Sequence, residues 1–366
     1  MKFSINQSEL QNALSVVLKG IATRSTLPIL SGIYFEANQD HLTLQATDLE
    51  LSIQYTVPAL IEEEGKTVFP GKLLSDIVKN LPDAAVHAET SGDSAIITCD
   101  TSSFSVKTLD AEDFPGFPQV DTNQTISIPF SQFSSMVKHV ARVVSKDESR
   151  AILTGVLITL EGESLKMVAT DSYRLAVTEA QLNDPSADGF QAVIAGSFLQ
   201  ELASLSRTDD PITIALAENQ IVVTYHDTVF INRRIEGNFP NYRQLLPDSY
   251  NTRVKLNVEH LMSGVKRTSI LGQQSSPVKF AIDTASQTVQ LSAAAQDVGS
   301  AQETISCEGE GDSVDIAFNY AYVLDGLTTI DDKDVYLEVQ SEMKPGIFKA
   351  AGEEKYLYLV MPVRIS

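Results

Sequence analysis

Gly65-Lys66-Thr67 has the ending of a phosphate-binding loop, where backbone N–H groups close on phosphate and a lysine adds charge. Leu60 stands where that loop needs its first glycine, so the cradle is missing. Gly162-Glu163-Ser164-Leu165-Lys166 places a serine as a nucleophile elbow would, but Lys166 replaces the closing glycine. The five histidines, His41, His87, His139, His226 and His260, fall neither in a His-Glu-x-x-His spacing nor beside a cysteine pair, so no metal-ligand pattern forms. Asp48 and Asp171 recur in the same Ala-Thr-Asp context at the end of a strand pattern. Such an aspartate reads as a turn or cap residue ahead of a catalytic acid. Cys99 and Cys307 fall in different repeats and read as free thiols of a reducing compartment. No nucleophile, base and orienting group converge, so the chain reads as a non-enzyme that needs no cofactor or metal.

The cations carry a more consistent pattern. Lys138, Arg142 and Lys146 are four apart, which on one continuous helix makes a single stripe, and Arg150 continues it. Lys266 and Arg267 stand at the matching place of a later repeat, Lys19 and Arg24 at that of the first, and Lys72 opens another helix. One such stripe is as well explained by a solvated helix face. Recurrence at equivalent helices in a chain of net charge −21 favours a positive lining inside an acidic body, which attracts phosphates without reading bases. A triplicated peptide- or carbohydrate-binding protein is the rival reading. Cations scattered over unrelated outer surfaces would favour it.

The positioning elements repeat three times. Ala46-Thr47-Asp48-Leu49 and Ala169-Thr170-Asp171-Ser172 each follow a strand pattern, at a spacing of 123 (from 48 to 171), and Ala295-Gln296-Asp297-Val298 is a degenerate third copy. Phe114-Pro115 and Phe239-Pro240 recur at 125 (from 114 to 239). Three short amphipathic segments begin at Lys72, Ser197 and Tyr320. The units are 1–121, 122–247 and 248–366, each of ordinary domain size. Within the second, Phe133, Met136, Val137, Val140, Ala141 and Val144 keep the spacing of one buried helix face. Alternating apolar runs separated by turns such as Glu161-Gly162-Glu163 follow. Each repeat is an α+β unit of two helices and about eight antiparallel strands. Of the 366 residues 43% are hydrophobic, and no apolar run reaches the ~18 that a membrane helix needs. With no apolar leader at Met1-Lys2-Phe3-Ser4, a cytoplasmic location is expected.

Several ordered motifs carry a family resemblance: Met1-Lys2-Phe3, Arg24-Ser25-Thr26-Leu27-Pro28-Ile29-Leu30, Thr47-Asp48-Leu49-Glu50, Ala169-Thr170-Asp171-Ser172-Tyr173-Arg174-Leu175-Ala176, Phe239-Pro240-Asn241-Tyr242-Arg243 and Val360-Met361-Pro362-Val363-Arg364. Together they span the chain, and it resembles the bacterial DNA polymerase III β sliding clamp family. The resemblance implies a DNA-clamp fold of three similar domains and a head-to-tail homodimer that forms a six-domain ring. Duplex DNA passes through the ring without sequence preference. The ring tethers the DNA polymerase III alpha subunit, the clamp loader and other proteins carrying a clamp-binding motif, at no membrane.

The resemblance also implies site residues. A groove for a partner's short apolar segment maps onto Leu153, Thr170, Ser172, Tyr173, Arg174, Leu175, Pro240, Gln244, Leu245, Val360, Met361, Pro362, Val363 and Arg364. Leu175 is expected in a wall and Arg174 at the rim, its charge screened. The apolar run from Tyr356 to Val363 suits such a groove, since a last core strand explains Leu357 and Leu359 but not the residues after Val360. Arg24, Lys72, Lys138, Arg142, Lys146, Arg150, Lys266 and Arg267 map to the DNA-facing lining, and Phe104, Val106, Ile270 and Leu271 to the subunit interface. Four departures stand out. Ser172-Tyr173 replaces a common Gly-His, Ala151-Ile152 replaces aromatic residues, Gly196-Ser197 replaces basic ones, and Ser366 extends the end.

Overall fold

The computed structural model describes residues 1–22, 26–122, 124–182, 189–205, 208, 210–271, 277–295, 298–352 and 355–364. Arg24 lies outside them. Six α-helices occur among these residues: α1 (Gln7–Val17), α2 (Gly71–Lys79), α3 (Phe130–Val140), α4 (Gly196–Ala203), α5 (Val258–Ser269) and α6 (Tyr320–Leu327). They pack in pairs, α1 on α2, α3 on α4 and α5 on α6. A strand leads directly into each helix: Lys2–Asn6, Gly65–Pro70, Gln124–Pro129, Gln191–Ala195, Thr252–Asn257 and Val314–Asn319. This is the repeat expected from the sequence, three times over.

The chain forms two compact units, Met1–Ser127 with Asp210–Arg233, and Ile128–Asp209 with Arg234–Ser366. The first holds a five-stranded sheet in the order Leu60–Glu63, Lys2–Asn6, Ala85–Ser91, Ser94–Cys99, Ser102–Lys107. It also holds an eight-stranded sheet in the order Gln124–Pro129, Pro211–Leu216, Gln220–Tyr225, Thr228–Arg233, Leu51–Pro58, His41–Thr47, Gly32–Asn38, Gly65–Pro70. In the second unit a nine-stranded sheet runs Gln191–Ala195, Gly155–Glu161, Ser164–Thr170, Arg174–Gln181, Lys355–Val360, Gly346–Ala350, Asp334–Val339, Thr252–Asn257, Glu308–Gly311. A four-stranded sheet follows, Gly299–Ser306, Thr288–Ala295, Pro277–Asp283, Val314–Asn319.

The repeats meet edge to edge. Leu51–Pro58 pairs with Thr228–Arg233 (Leu51 opposite Asn232), and Arg174–Gln181 pairs with Lys355–Val360 (Arg174 opposite Val360). Each junction satisfies two strand edges that would otherwise stand open. The first of them draws strands 211–233 of the second repeat into the first unit. Alternation sets the faces: in His41–Thr47, Leu42, Leu44 and Ala46 point inward and are almost fully buried.

Helix α3 buries Phe133, Met136, Val137 and Val140 of the expected face and adds Phe130, while Ala141 and Val144, expected on the same face, lie past its end. It stops at Val140, which corrects the basic stripe. Only Lys138 lies on the helix, Arg142 is in the turn after it, and Lys146 is in the following loop. Distant groups hold the turn that follows the helix. Gln200 Nε2 reaches the Ala141 carbonyl at 2.8 Å, Arg174 Nη2 reaches that of Arg142 at 3.1 Å, and the Ser145 N–H turns away to the Leu153 carbonyl at 2.7 Å.

Candidate functional site

Several residues of the expected groove lie at the turn Asp171-Ser172-Tyr173 between strands Ser164–Thr170 and Arg174–Gln181. The Asp171 carboxylate accepts from the N–H groups of Tyr173 and Arg174 at 2.9 and 3.1 Å. Thr170 Oγ1 accepts from the Ser172 N–H at 3.1 Å and donates to the Arg174 carbonyl at 2.7 Å. Ser172 is thereby held at φ +80°, a conformation that strains any residue with a Cβ. The first repeat builds the same turn. Leu49 sits at φ +78°, its N–H donates to Thr47 Oγ1 at 3.0 Å, and the Asp48 carboxylate takes the N–H groups of Glu50 and Leu51 at 3.0 and 2.8 Å. The repeated aspartates are turn residues, as their sequence context suggests.

Arg174 is not at a rim. It is 8% exposed, and its guanidinium joins four elements. Nε donates to Asp171 at 2.9 Å, Nη1 to Asp325 of α6 at 2.5 Å and to the Tyr358 hydroxyl at 3.3 Å, and Nη2 to the Arg142 carbonyl. The guanidinium lies 4.5 Å from the centre of the Tyr322 ring, and Tyr358 donates to the Tyr322 carbonyl at 2.7 Å. Burial alone lowers the affinity of Arg174 for its proton. Tyr358, Asp325 and Asp171 more than offset this and raise it, so the group stays charged. Burial likewise pushes the Tyr358 phenol up. The expectation of a screened surface charge is corrected: bidentate donors and an aromatic face suit a buried guanidinium. Asp171, Tyr322, Asp325 and Tyr358 were absent from the predicted set, and only the Asp171–Arg174 spacing signalled any of them.

The rest of the set divides by exposure. Leu153, Thr170, Leu175 and Val360 are buried. Leu175 packs with Leu157, Val168, Val193, Tyr242, Ile347 and Leu359 and is fully buried, where the resemblance implies a groove wall. Ser172, Tyr173, Pro240, Gln244, Leu245, Met361, Val363 and Arg364 are exposed, and Pro362 is half-buried. Tyr173 is 59%, Leu245 47% and Met361 40% exposed, high for apolar or aromatic side chains. The tail past Val360 is pinned: the Met361 N–H donates to the Tyr173 carbonyl at 2.9 Å and the Val363 N–H to the Ala317 carbonyl at 2.8 Å. The Tyr173 ring stacks on Tyr322 at 6.4 Å. Beside the tail lies a cavity of about 470 Å³, lined among others by Lys279, Asp315, Met343, Val363 and Arg364.

Of the expected DNA-facing cations, Lys72, Lys138, Arg142, Lys146, Arg150, Lys266 and Arg267 are exposed. Lys138 pairs with Asp331 at 2.7 Å, Arg150 with Asp147 at 3.2 Å, and Arg267 with Glu303 through Nε at 2.9 Å. Lys266 and Arg267 occupy the last turn of α5, Lys72 the first turn of α2. Of the interface set, Ile270 follows α5 and is 75% exposed, Leu271 is half-buried, and Phe104 is exposed on the end strand Ser102–Lys107. Val106 is buried opposite Ala95 in its own sheet. Among the described residues no group of three or more His, Cys, Asp or Glu is placed to hold a metal.

Three family profiles match in order along the chain. They are the N-terminal domain of the DNA polymerase III beta subunit over residues 1–118, its central domain over 127–241 and its C-terminal domain over 243–364. The chain is 33% identical to the beta sliding clamp of Synechocystis sp. over 390 residues, covering all of both chains. It is 32% identical to that of Staphylococcus aureus over 375 residues, covering 100% of this chain and 99% of the relative. Its fold superposes on the DNA polymerase sliding clamp of Bacillus subtilis with a TM-score of 0.96 at 29% identity, each chain fully covered. It superposes on the Pseudomonas aeruginosa clamp bound to griselimycin with a TM-score of 0.95 at 27% identity, again with full coverage. With three profiles and full-length relatives, the chain belongs to the DNA polymerase III beta subunit family and is a DNA sliding clamp.

Proposed function

We propose that two copies of this chain, each of three domains spanning 1–121, 122–247 and 248–366, join head to tail into a ring around duplex DNA. The ring tethers the DNA polymerase III alpha subunit, the clamp loader and further proteins in the cytoplasm. The full-length likeness to sliding clamps carries this reading. Two features of the chain support it. Ser102–Lys107 and Gly299–Ser306 end their sheets, and an end strand offers unpaired backbone groups to a second copy. Phe104, Val106, Ile270 and Leu271 are assigned to that interface. The cations Arg24, Lys72, Lys138, Arg142, Lys146, Arg150, Lys266 and Arg267 are assigned to the lining, in a chain of net charge −21 whose exterior repels DNA. The partner's segment docks over Tyr173, Leu245, Met361 and Val363, above the buried Leu153 and Leu175.

Such retention is topological. Loaded onto nicked circular DNA by a bacterial clamp loader, the protein is expected to co-elute with the DNA and to be released once the circle is cut. Retention on cut DNA as firm as on circles would contradict the reading.

A further inference from the structure

Arg150 lies in the short 3-10 segment Glu148–Thr154, at a kink where its φ and ψ are −116° and 61°. Its Nε holds Asp147, and its Nη1 donates to the Ser172 hydroxyl at 3.0 Å. Ser172 is the strained residue of the groove turn, and its hydroxyl is the acceptor that the guanidinium holds. The next residue, Tyr173, stacks on Tyr322, and its carbonyl holds the Met361 N–H. The segment that carries Arg150 also supplies the buried Leu153 and the half-buried Ile152, and Ile152 packs against the core cluster that holds Leu175. One guanidinium assigned to the DNA lining is thus tied to the turn that shapes the partner site.

We infer that Arg150 couples the two sites of this clamp: a DNA phosphate competes with the Ser172 hydroxyl for the guanidinium and so changes the affinity of the groove. The inference depends on the DNA lining and the groove proposed above. With the Ser172 bond made, the turn is held closed, its Tyr173 ring on Tyr322 and its carbonyl on the tail. A phosphate offers the guanidinium a stronger, charge-assisted partner than a hydroxyl. Drawing Arg150 away frees the turn to open around an apolar ligand. Linkage requires the converse, that a ligand in the groove tightens DNA binding by the same factor. The coupling is bounded by the net worth of one hydrogen bond, about 2–10-fold.

Griselimycin, held by the Pseudomonas relative, is the probe. Its dissociation constant is measured by calorimetry at low salt, with and without saturating linear duplex. The unmodified protein is expected to bind it about threefold more tightly with DNA present. Ser172→Gly, which removes the hydroxyl and suits φ +80°, is expected to bind griselimycin equally with and without DNA. Binding by the unmodified protein that DNA leaves unchanged overturns the inference alone, and so does an equal DNA effect in Ser172→Gly. Absence of griselimycin binding by the unmodified protein overturns the groove reading and this inference with it. A fall in duplex affinity of Arg150→Lys with the threefold effect intact shows phosphate contact without coupling, and also overturns it.

Discussion

The turns at Asp48 and Asp171 share one backbone and differ in what surrounds them. Both hold a strained residue near φ +80° with the same threonine and aspartate bonds, and both lead into a strand that joins the next repeat. At the third position after the aspartate the first has Leu51 and the second Arg174. Around the first turn, the linker residues Phe114, Pro115, Phe117 and Pro118 leave a cavity of only about 90 Å³. Beside the second, Arg174 draws in Asp325, Tyr322 and Tyr358, and the tail leaves Met361 exposed. The repeated motif is scaffold. The proposed partner site lies where one copy departs from it.

The largest expected contrast is in ligand binding. Removing residues 361–366 is expected to abolish griselimycin binding while far-ultraviolet circular dichroism stays unchanged, because the last strand ends at Val360 and a few apolar anchors dominate such sites. Leu49→Ala, on the other turn, is expected to leave calorimetric binding unaltered. Stability separates the turns next. Arg174→Ala strands Asp325, Asp171 and Tyr358 and is expected to cost about 3 kcal/mol by urea unfolding, the low end for a buried pair because Asp325 reaches solvent. Leu51→Ala is expected to cost about 1 kcal/mol. Asp171→Ala removes two backbone bonds and a partner of Arg174, for about 2 kcal/mol, against about 1 kcal/mol for Asp48→Ala, which loses the backbone bonds only. The smallest effect has the opposite sign. Leu49→Gly relieves the left-handed conformation of a 60% exposed leucine and is expected to raise the melting midpoint slightly, by roughly 0.5 kcal/mol in stability. Equal costs at the paired positions would remove the contrast.

The threefold repeat, the helix faces and the turn role of the aspartates were legible because they are local. Apolar spacing in Phe133–Val140 needs no partner to be read. The end of α3 was not legible, since the groups that hold the turn after it, Gln200 and Arg174, come from about 60 and 30 residues away. Arg174 misled for the same reason. Its burial depends on Tyr322, Asp325 and Tyr358, which only the pairing of Arg174–Gln181 with Lys355–Val360 brings near. The wall position that the resemblance implies for Leu175 does not hold because a likeness of short motifs carries no depth, and here Leu175 is fully buried among Leu157, Val168, Val193 and Leu359.

Ring closure by two copies is the central claim, and sedimentation equilibrium at micromolar concentration tests it most directly. The account predicts a mass of twice 39.8 kDa for the unmodified protein, and a folded 39.8 kDa monomer for Ile270→Ala combined with Leu271→Ala. A stable monomer of the unmodified chain would contradict the ring, and an unshifted dimer in the double variant would contradict the assigned interface.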